Sequence, residues 1–340
     1  MSFWSYNIAA PKLWHTFWGQ GFLRQRPALK PYTYELYLSR RLDSTCLDQF
    51  ALFLKQHYGD DDWYLDTEGN WLQSYLDDPN VIVLGLFKKY DNTLIATILS
   101  VPITSGETNI GNTTTLKNVR VIEGLCIHKK YRKQGFAAHM ISLMDYETSK
   151  KEPCVHLWSR ELTQVPVFST FLQTKLYGYI ECAWAKKTWD AEKLPWDEFV
   201  QLWEKNVKNW IEPSSIVTNI PSNRRNGLTA WKITDSETVY IIVVSDTKRR
   251  SYLHNHHIWE TIWCGKIDTS GLKPSTIPPE CIESVASIHK GLFFIMKEYS
   301  DTPFSKRWRI GQSGYHVWYM YNYIPPNFGS CEIHSIREEI

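Results

Sequence analysis

A run of basic residues stands between an apolar strand and a helix in the stretch from 121 to 141, and this pattern suits a phosphate ligand. The residues concerned are Lys129, Lys130, Arg132, Lys133, Gln134, Gly135, Phe136 and Ala137. A helix N-terminus offers unpaired N–H groups and a positive dipole end, which favour a pyrophosphate. Gly135 lets the backbone approach a ligand closely, and Arg132 and Lys133 add charge-assisted contacts. A basic turn is more often only solvated, but the strand before it and the small residues after it favour binding here.

Two other clusters of ionisable residues carry weaker signals. Asp60, Asp61 and Asp62 follow a predicted helix and are either a solvated helix end or a site that attracts basic side chains. The histidines from 254 to 257 have no cysteine or carboxylate partner at the spacings typical of metal sites, so no metal is predicted.

The predicted elements around these residues alternate between strands and helices. Strands are predicted at 34–38, 81–87, 94–102, 119–127, 153–158, 179–184, 239–245, 291–296 and 315–323. Helices are predicted at 47–58, 71–76, 136–147, 196–210 and 257–263, with a helix or turn at 168–179, a loop at 104–117 and a Pro-rich turn at 274–279. This order predicts an α+β fold of two halves, 1–185 and 186–340, joined through the segment 185–230.

Composition excludes several classes of protein. The 340 residues carry a net charge of +2, too small to recruit nucleic acid or a membrane by a global field. Seven scattered cysteines without a C-x-x-C pair argue against a disulfide framework and a zinc site. The first residues lack a signal-peptide pattern, and no stretch approaches the ~20 apolar residues of a membrane span. A cytoplasmic protein is therefore expected.

The turn at 132–137 resembles the R-x-x-G-x-A pattern of the GNAT acyltransferases, which cradle the pyrophosphate of coenzyme A with it. The resemblance implies that Gly124 and Leu125 lie where two strands of that fold splay apart. Their backbone N–H groups would then stabilise the oxyanion of a bound thioester.

Longer motifs resemble the N-myristoyltransferases in particular. Glu123-Gly-Leu-Cys-Ile-His-Lys-Lys-Tyr-Arg132 is similar to that family's Asn-Phe-Leu-Cys-Val-His-Lys-Lys-Leu-Arg. Trp308-Arg-Ile-Gly-Gln-Ser-Gly314 and Val317-Trp-Tyr-Met-Tyr-Asn-Tyr323 resemble its Ile-Gly-Asp-Gly and Tyr-Leu-Tyr-Asn-Trp signatures. Together with the Phe3-Trp4 arm, the Pro-Tyr-Thr at 31–33 and the acidic run at 60–62, these matches keep the family's order from residue 3 to residue 323.

The resemblance implies two fused GNAT-like halves in a pseudo-twofold arrangement around a mixed, saddle-shaped sheet. The first half would bind acyl-CoA and the second the acceptor peptide. Phe3 and Trp4 would help to hold coenzyme A, Arg132 to Ala137 its phosphates, and Asp60 to Asp62 would face the peptide. The reaction it implies moves a myristoyl group from myristoyl-CoA, a co-substrate, to the N-terminal glycine of a protein. The enzyme would need no prosthetic group and would be a monomer.

The family uses its own C-terminal carboxylate to take the proton from the attacking amine, which assigns that role to Ile340. The tail departs from the family, because Arg337, Glu338 and Glu339 precede the terminus and resist burial unless they are paired. Either the Ile340 carboxylate still reaches the centre, or a side chain such as Glu338 replaces it, or catalysis is impaired. An ordinary GNAT acetyltransferase and a non-catalytic protein that binds coenzyme A or acylated proteins remain alternatives.

Further departures lie in the motifs themselves. Gln134 and Gly135 replace two basic residues of the family's turn, and Ala138 replaces its proline. Gln312 and Ser313 stand in place of the aspartate of Gly-Asp-Gly, which argues against a fixed preference for lysine-bearing acceptors.

Overall fold

A computed structural model describes most of the chain. The described residues are 21–22, 37–59, 63–68, 70–102, 108–110, 114–116, 119–150, 154–162, 171–175, 177–206, 227–235, 237–252, 256–268, 271–296, 308–310, 314–321 and 323–324. They confirm the predicted α+β class and the mixture of parallel and antiparallel strand pairs.

Five α-helices and three short 3-10 turns lie in the described residues. The helices are α1 (Leu47–His57), α2 (Trp71–Asp77), α3 (Phe136–Thr148), α4 (Trp196–Asn206) and α5 (Pro279–Ala286). The 3-10 turns are Ser44–Cys46, Lys129–Tyr131 and Cys182–Trp184. Asp43 caps the first of these turns by accepting the Thr45 N–H at 3.0 Å.

The strands are, in chain order, β1 (Gly21–Phe22), β2 (Tyr37–Arg41), β3 (Trp63–Leu65), β4 (Ile82–Lys88), β5 (Leu94–Pro102), β6 (Thr108–Ile110), β7 (Thr114–Leu116), β8 (Val119–Ile127), β9 (Val155–Leu162), β10 (Phe171–Lys175), β11 (Tyr177–Glu181), β12 (Ala191–Leu194), β13 (Leu228–Thr234), β14 (Val239–Ser251), β15 (His257–Asp268), β16 (Gly271–Pro274), β17 (Leu292–Met296), β18 (Arg309–Ile310), β19 (Gly314–Tyr321) and β20 (Tyr323–Ile324).

Most of these strands form two mixed sheets. The first has the order β10-β19-β9-β8-β5-β4-β2, and the second has the order β12-β13-β14-β15-β17-β11-β18, with β16 beside β15 and β3 beside β14. In each sheet a strand, a following helix and a parallel strand form one unit: β8, α3 and β9 in the first, β15, α5 and β17 in the second. This repeat is what two fused GNAT-like halves require. The proposed boundary at residue 185 stays a prediction.

The helices cover both faces of each sheet. In the first sheet, α1 and α2 pack on one face through residues such as Phe50 and Leu72, and α3 packs on the other through residues such as Met140. In the second sheet, Ile282 of α5 and Phe199 of α4 mark the two corresponding cores. Each such side chain contributes about 1.5–3 kcal/mol by leaving water.

The prediction of a helix at 257–263 is wrong, because this segment belongs to β15. The pairing of β14 with β15 steps from Val243–Trp263 to Val244–Thr261, so Ile262 is an extra residue in a β-bulge. The bulge interrupts the alternation of apolar residues and produces a spacing that mimics a helix. The segment predicted as a helix or turn at 168–179 likewise contains β10 and the start of β11.

Several further elements were not predicted, among them β3, β12, β13, β16 and β18. The loop expected at 104–117 contains the short hairpin of β6 and β7. Helix α5 follows directly on the Pro-rich turn, with Pro279 in its first turn, where a missing N–H costs nothing.

A buried group of charges joins β3 to the second sheet. The Arg250 guanidinium, only 4% exposed, reaches Asp246 Oδ1 at 3.0 Å and Asp66 Oδ2 at 2.9 Å. Lys248 Nζ lies 3.0 Å from Asp246 Oδ2. Burial alone would raise the pKa of Asp246, but the hydrogen bond from Arg250 and the positive charge of Lys248 outweigh it and lower that pKa. The segment that follows the predicted acidic run is thereby fixed to β14.

Replacing Arg250 with methionine removes the main partner of a buried carboxylate, and we expect a loss of about 3–5 kcal/mol in the free energy of unfolding. The loss should shrink in acid, because a carboxyl with a lowered pKa stabilises the fold only above its ordinary range and ceases to do so when protonated. Urea unfolding at neutral and acidic pH measures both effects. Lys193→Met, at an exposed position of β12, is the control and should change stability by less than about 0.5 kcal/mol. Equal losses in the two variants would contradict the role given to Arg250.

Candidate acyl-transfer site

A β-bulge interrupts β8 at Gly124 and Leu125. The pairing of β5 with β8 steps from Thr97–Cys126 to Leu99–Glu123, so two residues of β8 face one residue of β5. Gly124 has a φ of 54°, in the left-handed region that favours glycine. The buried Thr97 hydroxyl donates to the Gly124 carbonyl at 3.1 Å. This bond holds the bulge in one conformation.

β8 and β9 separate just before the bulge. Their described parallel pairing covers only Val119 to Val121 of β8 and Val155 to Leu157 of β9, although β9 continues to Leu162. β8 continues to Ile127 along β5. Gly124 and Leu125 therefore lie beside the opening between two diverging strands, where the resemblance places them. Their role as oxyanion donors stays a prediction.

The basic turn joins β8 to α3 through a backbone that only some residues tolerate. Lys133 has a φ of 63° and Gly135, the residue before α3, a φ of 85°. A Cβ at Gly135 would meet nothing within 4 Å, so backbone conformation rather than crowding requires glycine there. The first intrahelical bond runs from the His139 N–H to the Gly135 carbonyl at 3.1 Å.

The side chains of the turn divide into exposed and packed residues. Those exposed are Lys129, Lys130, Arg132, Lys133, Gln134 and Gly135, whereas Phe136 is buried and Ala137 is half-buried. The N–H groups of the first turn of α3 and several cations thus lie at one surface. A helix N-terminus of this kind favours an anion.

Arg132 ties the basic turn to the end of α1. Its Nε donates to the Ile127 carbonyl at 3.2 Å, and its Nη2 donates to the His57 carbonyl at 2.5 Å. A guanidinium has five N–H donors, so these two bonds leave capacity for a phosphate.

Two histidines lie beneath the turn. The rings of His57 and His128 are 4.0 Å apart between centroids, and His128 Nδ1 accepts the Lys130 N–H at 3.1 Å. Burial, followed by the positive field of His128, Lys129 and Arg132, lowers the pKa of His57 to about 4. Burial also lowers the pKa of His128. The pair is neutral at pH 7, and the positive charge of the turn comes from its lysines and arginine.

The structure brings together one contiguous part of the predicted site: Gly124, Leu125 and Arg132 to Ala137. Phe3, Trp4, Asp60, Asp61, Asp62 and Ile340 lie outside the described residues. The sequence reasoning missed Thr97 and the neighbouring pair His57 and His128. Thr97 carried a signal, because it is a polar residue inside an apolar strand.

The whole chain can be compared with solved structures. A Saccharomyces cerevisiae N-myristoyltransferase with bound myristoyl-CoA matches 95% of this chain and 88% of its own, with a TM-score of 0.65 and 13% identity. A second structure of that enzyme with bound myristoyl-CoA matches 94% of each chain, with a TM-score of 0.61 and 12% identity. The chain has the fold of N-myristoyltransferase. The resemblance predicted from the short motifs is thus confirmed for the fold.

Sequence comparisons find no such relative. Neither a protein-family model nor a curated protein sequence matches the chain. At 12–13% identity, the N-myristoyltransferase likeness concerns the path of the backbone.

The described residues lack two kinds of feature. They contain no helix long and apolar enough to cross a membrane. They also contain no group of three or more His, Cys, Asp or Glu side chains arranged to hold a metal ion.

Gly135→Ala should lower the free energy of unfolding by about 1–2 kcal/mol, because the left-handed conformation is strained for any residue with a Cβ. Gly227→Ala is the matched control, since a Cβ there makes an ordinary contact at 3.5 Å with the Asp246 carbonyl. The control should be neutral or slightly stabilising. Urea denaturation of both variants checks this, and an unchanged stability of Gly135→Ala would argue against the turn conformation.

Proposed function

We propose that this protein transfers a long-chain acyl group, myristoyl in the first instance, from acyl-CoA to the N-terminal glycine amine of acceptor proteins. The observation that carries the proposal is the N-myristoyltransferase fold over nearly the whole chain, combined with a bulged strand and a glycine turn in one unit. The general part of the proposal is acyl transfer from a thioester. Its more specific part is that the donor is myristoyl-CoA and the acceptor is an N-terminal glycine.

The basic turn would bind the phosphates of coenzyme A. Three exposed lysines, Lys129, Lys130 and Lys133, lie beside the first turn of α3. Charge-assisted hydrogen bonds to phosphate are about twice as strong as neutral ones. Because burial lowers the pKa of both neighbouring histidines, the charge of this surface at neutral pH comes from the lysines and Arg132.

The bulge would hold the reacting carbonyl. A thioester that passes between β8 and β9 meets the backbone of Gly124 and Leu125, whose N–H groups would stabilise the charge that develops on its oxygen. The acyl group then passes directly to the amine, and no serine or cysteine nucleophile is required. Cys126, the nearest thiol on β8, is unsuited to attack because burial raises its pKa to about 12.

Different interactions would bind the acyl chain and the acceptor peptide. A myristoyl chain gains about 0.8 kcal/mol for each buried CH₂ group, so an apolar channel would dominate donor affinity. Asp60, Asp61 and Asp62 would attract basic side chains of the acceptor peptide. The amine must lose a proton. The family resemblance gives that role to the terminal carboxylate of Ile340, and a side chain such as Glu338 is the alternative because the tail departs from the family.

The proposal predicts that a Gly-initiated peptide gains one acyl group when incubated with the protein and myristoyl-CoA, because only the long chain fills an apolar channel. Mass spectrometry of the peptide, with acetyl-CoA in a parallel reaction, measures the transfer. An Ala-initiated peptide of otherwise identical sequence is the control and should stay unmodified. Transfer from acetyl-CoA alone would identify an ordinary acetyltransferase instead. Tight binding of myristoyl-CoA without transfer would identify a non-catalytic binding protein.

A further inference from the structure

Glu123 is a carboxyl-bearing residue at the bulge of β8. It directly precedes Gly124 and pairs across the sheet with Leu99 of β5. Its side chain is half-buried, and its Oε2 is buried. A carboxylate is thus built into the strand that would bind the thioester.

The side chain of Glu123 lies on the sheet face opposite α3. Its neighbour Ile122 packs into the core beneath α3, and successive residues of a strand point to opposite faces. Its cross-strand partner Leu99 packs into the core beneath α1 and α2. Directly opposed residues share a face. Glu123 therefore lies on the face of the sheet that α1 covers. The phosphate-binding turn leads into α3, which covers the opposite face.

This division assigns the two faces to the two substrates. Coenzyme A approaches from the N-terminus of α3, and its thioester reaches the opening between β8 and β9. An acceptor amine that reaches the carbonyl through this opening from the side opposite α3 arrives on the face of Glu123. Strand geometry places this side chain one residue from the bulge that would hold the carbonyl.

The residue type is a departure from the family motif that this segment resembles. The motif has asparagine where Glu123 stands in the present chain. An asparagine amide does not accept a proton near neutral pH, whereas a carboxylate does. The chain thus carries a base in the strand and, at its other end, a terminus preceded by three charged residues.

We propose that Glu123 is the general base that deprotonates the acceptor amine. The inference rests on the acyl-transfer function proposed above. The Glu123 carboxylate removes one proton from the bound ammonium group and passes it to solvent. The neutral nitrogen then forms a bond to the thioester carbon, and the C–S bond breaks with its electron pair on sulfur. The second proton of the nitrogen moves to the thiolate, which leaves as the thiol of coenzyme A.

The ionisable groups of the described elements on this face do not compete for the role. They are Cys46, His57 and Tyr58 at the two ends of α1, Tyr75 of α2 and Cys126 of β8 itself. Burial, then neighbouring positive charges, lowers the pKa of His57 to about 4. Burial raises the pKa of Cys126 to about 12. Both are neutral at pH 7, and neither carries a charge that would hold the amine or its proton.

The test compares Glu123→Gln with the wild type in the peptide-acylation assay. The substitution keeps the size of the side chain and removes its basicity. We expect kcat at pH 7 to fall by about 100-fold or more, as is usual for loss of a general base. Binding of myristoyl-CoA, measured by calorimetry, should change by less than about twofold. The deficit should narrow above about pH 8, where an α-amino group deprotonates without help.

Two further variants separate this proposal from its alternatives. Glu192→Gln, at an exposed position of β12, is the matched control and should behave as the wild type. A chain extended by two glycines after Ile340 should also keep its activity, because the terminal carboxylate is not the base.

Three results would overturn the inference. Activity of Glu123→Gln within about threefold of wild type at every pH would remove Glu123 from the mechanism. A deficit that is constant with pH and accompanied by weakened donor binding would make its role structural. Loss of activity on extension, with Glu123→Gln active, would assign the base to Ile340. A wild type that acylates no peptide would instead overturn the acyl-transfer function itself, and this inference with it.

Discussion

The candidate site depends on a single irregularity in β8, the bulge at Gly124 and Leu125. The Thr97 hydroxyl holds the bulge by donating to the Gly124 carbonyl in a fully buried setting. The extra residue changes which face of the sheet the following side chains occupy, so that Ile122 and Leu125 both pack on the α3 side although they are three positions apart. It also leaves Glu123 and Cys126 on the opposite face. One buried hydrogen bond thereby helps to set which side chains of β8 lie on each face of the sheet.

The sequence predicted β4, β5, β8 and α3 closely, and the reason is physical. The three strands are mainly apolar and are followed by turn residues, and α3 begins directly after Gly135. The turn between β4 and β5 was also expected, and there Asn92 adopts a φ of 54°. The bounds of these elements differ from the predictions by a residue or two. Local signals suffice where each residue's neighbours in the chain are also its neighbours in space.

The errors concentrate where distant parts of the chain decide the structure. A bulge in β15 gave a strand the spacing of a helix, and only pairing with β14 reveals it. In the site, the resemblance identified Gly124, Leu125 and the turn from Arg132 to Ala137. The sequence reasoning did not identify Thr97 and His57, because they belong to β5 and α1 and come close to the site only through tertiary contacts. Glu123 is part of the motif that resembles the family. The face of the sheet on which its side chain lies follows from the bulge, however, and cannot be read from composition.

The two sheets exchange strands, and this bears on how the protein is made. β19, near the end of the described chain, lies between β9 and β10 of the first sheet, while β3 and β11 lie in the second. A nascent chain that has emerged only as far as β10 therefore lacks the strand that separates β9 from β10. Its exposed strand edges invite pairing with other chains until synthesis reaches β19. The first sheet therefore cannot be completed until β19 has been synthesised.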